Sequence, residues 1–420
     1  MSELAERPVA SAAGAAPISG DIAERWNWYE RLRGVGEIVW DEERQAWLVL
    51  SHRLAKELGR GEGTTFLSAM AYERDGFLGL DWETYCHYQG GAHRVNILTG
   101  EQHSKVHRWW MAAFAPRVLA TWREEVIRPV VEAQLDRHVK DGKADLGRLA
   151  NGIHIRMIAG TVGMPWDDDA WMNRWEDVTT RNQRLKWHMA DSDVPQEIID
   201  DALAASEEMR AELLKWVRMH SGGEGDYLIS MMWRDFPALF DDFDEEDVLA
   251  NLKPAFETNS TRAAIRNALY ALATHPEIHE DLLSGELEIG RFVEETFRLY
   301  SGLGTARIAL DDMEFGGVPI RKGEMIVSIV GAVNVDPERF ECPHAIDTER
   351  AGPRDHFLFN QGPRACPGQN LGRVELEETV MGTLRRMPGL RLDPDAEPPR
   401  YHVVGNDARW DPLHALYDNG

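Results

Sequence analysis

The chain has 420 residues, is 43% hydrophobic and carries a formal net charge of −25, enough for a substantial core in one large domain or two to three average ones. The acidity excludes a nucleic-acid binder, which needs clustered Lys and Arg. It is spread along the chain rather than gathered in a tail, so it favours solubility over any one partner. The three cysteines, Cys86, Cys342 and Cys366, form no C-x-x-C pair, which leaves zinc and iron–sulfur clips without support and points to a reducing compartment.

Along the chain, the opening MSELAERPVASAAGAAPISG lacks a basic leader region and a long apolar run. Its Ala, Pro and Gly content predicts a disordered tail over 1–20. A single domain is expected over 21–420. WNWYERLRG reads as a short helix, and EIVWDEERQAWLVLS as two short strands around a charged turn. The chain then turns helical, with apolar residues at 3–4 spacing in EQHSKVHRWWMAAFA, VIRPVVEAQLDRHVKDG, LGRLANGIHIRMIAGTVG and SEEMRAELLKWVRMH. DEEDVLANLKPAFETNSTRAAIRNALYALATHPE extends that pattern, with Pro254 as the point for a kink. IGRFVEETFRLYS is another helix. Residues 306–330 alternate and turn at Gly-Gly, and LGRVELEETVMGTLRRM closes as a helix. The fold class is mainly α with a minor β portion. No stretch reaches 18 uninterrupted apolar residues, so no membrane span is expected and a cytoplasmic protein is.

Residues 356–373, HFLFNQGPRACPGQNLGR, hold one cysteine among Gly, Pro, Arg and His. Cys366 stands just before a predicted helix, whose N–H groups and dipole favour a thiolate. Phe359, Gly362, Arg364, Cys366 and Gly368 complete the pattern F-x-x-G-x-R-x-C-x-G, which resembles the cysteine-ligand signature of the cytochrome P450 superfamily. The resemblance spans nearly the whole chain. It implies the cytochrome P450 fold and haem b, with Cys366 as the axial thiolate on iron; such a ligand pushes electron density towards O–O cleavage. FVEETFRLY supplies the family's E-x-x-R as Glu295 and Arg298, and Arg350 matches the arginine that completes that structural trio. Asn334, Asp336 and Pro337 match a further family stretch. For the haem propionates the resemblance implies His103, His107, Arg307, His356 and Arg364. Asn360 departs from the glycine usual at its position.

The distal helix departs too. The family pairs an acid with an alcohol that relays protons. Glu257-Thr258 offers such a pair at first sight, yet counting seventeen residues back from Pro276 and thirty-six from Glu295 lands on Asn259, with Ser260 as the alcohol. The two registers differ by about 200° around the helix. Asn259 cannot ionise, so proton delivery passes through water or through Glu257. Phe256, Leu303, Gly304, Thr305, Val403 and Val404 are candidate substrate contacts. Tyr72, Phe77, Trp82, Tyr85 and Tyr88 are candidate lining or loop packing. The resemblance implies a monooxygenase that puts one oxygen atom from O2 into a hydrophobic small molecule of aromatic or natural-product type, as in secondary metabolism. Electrons would come from a separate ferredoxin and ferredoxin reductase. The altered distal motif keeps a second reading open: oxidative coupling, nitration or peroxide-driven oxidation.

Overall fold

A computed structural model describes residues 7–76, 78–185, 194–256, 259–302, 304–405 and 407–418. They pack as two compact units. The first takes the chain to Tyr72, then Glu294–Cys366 and Pro399–Asp411; the second takes Glu73–Val293, Pro367–Pro398 and the residues from Pro412. The secondary structure is mainly α with a minor β portion, as the periodicity predicts.

The first unit is built on a five-stranded sheet. Its order is Ile38–Asp41, Ala46–Val49, Met325–Ser328, Ala306–Ala309, Phe66–Ser68. Ala46–Val49 is buried at every position. It pairs antiparallel with Ile38–Asp41 and parallel with Met325–Ser328, which is why AWLV reads as an unbroken apolar run rather than an alternating one. Trp47, Leu54, Leu58, Phe66, Ile326 and Phe357 form the core of this sheet and the helix His52–Arg60.

A smaller sheet orders Ser19–Gly20, Arg400–Val404, Asp407–Asp411. Residues 7–20 are therefore not a loose tail. Ala10 and Ala13 are buried, Gly14 and Ala13 carbonyls accept from Trp28 Nε1 and Arg31 Nε, and Ser19–Gly20 adds a strand. Small Ala side chains let this segment lie close to its neighbours, and the backbone pairing offsets its entropy.

The second unit is helical. Its helices include Gly100–Ala113, Leu146–Val162, Asp169–Arg184, Gln196–Met219, Asn259–Thr274 and Gln369–Arg386. A small sheet orders Arg391–Leu392, His414–Leu416, Lys143–Asp145. The long helical pattern around Pro254 is broken there. An α-helix Glu245–Leu252 passes into a 3₁₀ turn Lys253–Phe256, and helix resumes at Asn259. Proline removes an N–H and crowds the preceding turn; past the break, the Phe256 carbonyl accepts from Gln183 Nε2 at 2.9 Å. Pro129 acts similarly, since a π turn Arg123–Ile127 precedes the helix Arg128–His138. No helix of the described residues is long and apolar enough to cross a membrane.

His52 opens its helix inside the first unit. Burial holds its pKa below 6.5, against the opposing pull of Asp355. The unfolded chain therefore takes up the proton first, and stability is lost as pH falls through 6.5. Urea unfolding between pH 7.5 and 5.5 is expected to show this loss, with a shallower slope in His52→Gln.

Candidate active site

Glu295 and Arg298 share one turn of the helix Ile289–Leu299, and both side chains are 1% exposed. Arg298 donates Nε and Nη2 to the two Glu295 oxygens at 2.9 and 3.0 Å, the bidentate geometry that suits a guanidinium. Its remaining N–H groups go to the carbonyls of Asn334, Pro343 and Ala345. Arg350 Nε reaches Glu295 Oε1 at 3.0 Å, and its Nη1 donates to Glu341 O. The three residues matched by register thus form one buried cluster. Asn334 ties in as well: Oδ1 accepts from Phe357 N at 2.8 Å and Nδ2 donates to Ser301. Asp336 accepts from His52 N.

From Phe357 the chain enters the cysteine loop. Cys366 is half-buried, and its backbone N–H donates to Phe359 O at 2.7 Å. The Phe359 ring stands edge-on to Phe297 at 4.9 Å. Gly362 has φ 79°, and a Cβ there would lie 2.3 Å from Gly59 O, so only glycine fits. Gly368 needs no such freedom, with φ −79°. The departure at Asn360 has a physical account. Its φ is 55°, the left-handed region that Asn tolerates after glycine, and its Nδ2 donates to Arg364 O at 3.1 Å.

Arg307 lies on the strand Ala306–Ala309 with its side chain 2% exposed. Burial and Arg364 push its pKa below the usual arginine value, and Glu62 opposes them. Nη1 donates to Thr305 Oγ1 at 2.9 Å and Ala306 O at 3.2 Å, while Nη2 donates to no described residue. A buried guanidinium edge with N–H groups to spare fits a carboxylate. Arg364 is nearly buried beside the same Glu62.

Several expectations are corrected here. His356 spends both ring nitrogens inside the protein: Nε2 on Glu294 Oε2 at 2.8 Å and Nδ1 on Leu358 N at 3.3 Å. It has no N–H left for a propionate and braces the loop instead. Val403 and Val404 cannot share a pocket, because they alternate along the strand Arg400–Val404; Val403 is buried and Val404 exposed. Gly304 packs tightly, and a Cβ would meet Val330 Cγ2 at 2.6 Å and Ser328 O at 2.8 Å. Thr305 is exposed and holds Arg307. Leu303, Phe77, Glu257 and Thr258 lie outside the described residues.

In the second unit, His103 is buried and His107 half-buried on the helix Gly100–Ala113, their rings 5.3 Å apart one turn along the same face. Asn259 opens its helix and Ser260 follows, half-buried. Phe256 is buried edge-on to Trp175 at 5.0 Å. With Asn151, Thr179 and Arg262 it lines a cavity of about 30 Å³, room for water rather than substrate. Tyr85 and Tyr88 are core residues beside Leu78, Leu80 and Ile199. Among the described residues no cluster of three or more His, Cys, Asp and Glu side chains could hold a metal ion.

A half-buried cysteine thus stands on a loop braced by a buried E-x-x-R cluster, with Glu62, Arg307 and Arg364 grouped in the same unit. A family model described as Cytochrome P450 matches residues 289–400. Mycinamicin IV hydroxylase/epoxidase of Micromonospora griseorubida is 29% identical over 310 residues, covering 69% of this chain and 71% of that protein. Two solved structures share the fold. P450BioI in complex with a hexadec-9Z-enoic acid ligated acyl carrier protein matches with a TM-score of 0.80 at 20% identity, over 94% of this chain and 99% of that one. The epothilone B-bound cytochrome P450epoK gives 0.79 at 22%, over 93% and 96%. The chain belongs to the cytochrome P450 superfamily, of bacterial type. It is an oxidoreductase of the monooxygenase class, and the family binds haem b on a cysteine thiolate.

Two predictions follow from the bracing. Glu295→Gln leaves two buried guanidiniums without their carboxylate and is expected to cost about 3–5 kcal/mol, read as a lower denaturant midpoint. Asn360→Gly is expected to be near neutral, whereas Asn360→Ala costs about 1–2 kcal/mol for a Cβ in the left-handed region without the Asn hydrogen bond; thermal unfolding of the two variants separates them.

Proposed function

We propose that this chain is a haem-thiolate monooxygenase that inserts one atom of O2 into a hydrophobic small molecule of natural-product type. Two electrons and two protons are consumed and the second oxygen atom leaves as water. The observation that carries the reading is the Cys366 loop, with its N–H on Phe359 O and its approach fixed by Gly362 against Gly59. Haem b, when bound, supplies the activation of dioxygen.

The chain's own residues have separable tasks. Cys366 is the thiolate ligand. Phe359, held by Phe297, shields that thiolate from water. Arg307 and Arg364 meet propionate charge; for His103 and His107 the resemblance alone implies that role. Glu295, Arg298 and Arg350 hold the loop. Ser260 orders water or substrate by its hydroxyl. Asn259 donates or accepts hydrogen bonds without ionising, so the proton must reach the site from water or from Glu257.

The relatives support the substrate class. One of them, 29% identical to this chain, is a mycinamicin IV hydroxylase/epoxidase. A separate ferredoxin with its reductase is the expected electron source, in the cytoplasm, where three free thiols persist. A second reading, peroxide-driven oxidation or oxidative coupling, is favoured by the non-ionising Asn259 at the acid position.

The test is a titration of the purified holoprotein with hydrophobic natural products, then turnover with reduced ferredoxin or with hydrogen peroxide. A ligand-induced high-spin shift and ferredoxin-driven, oxygen-dependent product are expected. Ser260→Ala is expected to lower product per electron, and Cys366→Ala to abolish the thiolate–haem spectrum. Peroxide turnover equal to or above the ferredoxin rate selects the second reading. A thiolate–haem spectrum surviving in Cys366→Ala overturns both.

A further inference from the structure

Glu62 follows the helix His52–Arg60, and its side chain is 4% exposed. Its Oε1 lies 2.5 Å from Arg364 Nε and its Oε2 2.7 Å from Arg307 Nε. Ser68 N also donates to Oε1 at 3.2 Å. One buried carboxylate therefore stands between two guanidiniums. Strand pairing delivers the arrangement, because Ser68 faces Arg307 across the Phe66–Ser68 and Ala306–Ala309 strands.

The way Glu62 engages Arg307 matters. A carboxylate that only neutralised an arginine would take two N–H groups as a fork. Here Oε2 meets Arg307 at Nε, at a distance for ion pairing but out of line for a hydrogen bond. Thr305 and Ala306 O hold Nη1. Nη2 is left with no donor contact among the described residues. Glu62 thus occupies the inner edge of the guanidinium and leaves its outer edge free. In a desolvated setting it also offsets the repulsion between Arg307 and Arg364, as the opposed influences on the Arg307 pKa show.

We propose that Glu62 is a positioning residue for the haem: it fixes Arg307 and Arg364 by their Nε edges, turns Arg307 Nη2 to a propionate, and sets how much of their positive charge the haem feels. This rests on the reading that the two arginines meet the propionates. Reduction adds an electron to the haem, so cationic surroundings favour the ferrous state. Removing the Glu62 charge with its shape kept, as in Glu62→Gln, raises the midpoint potential. Glu62→Asp keeps the charge on a stem one methylene shorter, which cannot span both Nε atoms; it holds the potential near the wild-type value but loosens the haem.

The experiment uses holoprotein of wild type, Glu62→Gln, Glu62→Asp, Arg307→Ala and Arg364→Ala. Midpoint potentials come from spectroelectrochemical titration, and haem loss from transfer to excess apomyoglobin. Glu62→Gln is expected to shift the potential positive. Glu62→Asp is expected to lose haem about tenfold faster, the scale of one charge-assisted hydrogen bond, with its potential unmoved. A wild-type potential in Glu62→Gln together with wild-type haem loss in Glu62→Asp overturns the assignment, provided that the arginine variants lose haem faster. Wild-type haem loss in both arginine variants overturns the propionate reading itself, and the role of Glu62 with it. Should Glu62→Gln not fold, the haem loss of Glu62→Asp decides: a wild-type rate overturns the assignment.

Discussion

The first unit depends on one buried carboxylate. Glu295 accepts from Arg298 twice, from Arg350 and from Asp347 N. A buried ion pair is expensive to desolvate, and its attraction repays that only when every remaining donor finds an acceptor. Here the remaining donors of Arg298 end on the carbonyls of Asn334, Pro343 and Ala345, and Arg350 adds bonds to those of Glu341 and Cys342. Phe340 lies under the guanidiniums, with Arg298 at 5.3 Å and Arg350 at 5.8 Å from its ring centroid. A segment with little regular structure is thereby tied to a helix. Its rigidity comes from charge and hydrogen bonding rather than from a ladder of its own.

That rigidity passes along the chain to the cysteine. Asn334 gives its carbonyl to Arg298 and its side-chain oxygen to Phe357 N. His356 holds Glu294, the neighbour of Glu295 in sequence. Phe359 rests on Phe297 and accepts from Cys366 N. Each member is buried or half-buried, so the backbone at Cys366 is placed by a continuous set of contacts.

How much of this the sequence discloses depends on whether a residue's task is local. Cys366, Gly362 and the E-x-x-R pair act within a few residues of one another, and their spacing is enough to find them. Asn360 looked like a defect in the motif; only its backbone angle and its bond to Arg364 O explain why it serves. Glu62 leaves no trace in GRGEGTT, because its partners stand 245 and 302 residues away. Glu294 is half-visible as the doublet in VEETF. Val403 and Val404 are an apolar pair in the sequence, but the strand sends them to opposite faces. Tyr85 and Tyr88 misled because aromatic content does not tell a lining from a core. The Ala-rich opening misled for the converse reason: small residues resemble a linker until a neighbouring strand gives them a surface to cover.

The distal helix shows the same limit in chemical terms. Pro254 predicts a break, and the break is there, but its consequence is set elsewhere. A 3₁₀ turn frees carbonyls, and Gln183, from a helix distant in sequence, takes that of Phe256. The register therefore restarts at Asn259 rather than running through from Glu245. An acid at Asn259 would have had to stay charged in the opening turn of this helix, where the dipole favours an anion and lowers its pKa. An amide there keeps the hydrogen-bonding capacity and gives up the proton. The reaction class is thus legible from a handful of spaced residues, while the course of this helix depends on a partner such as Gln183 that no local spacing discloses.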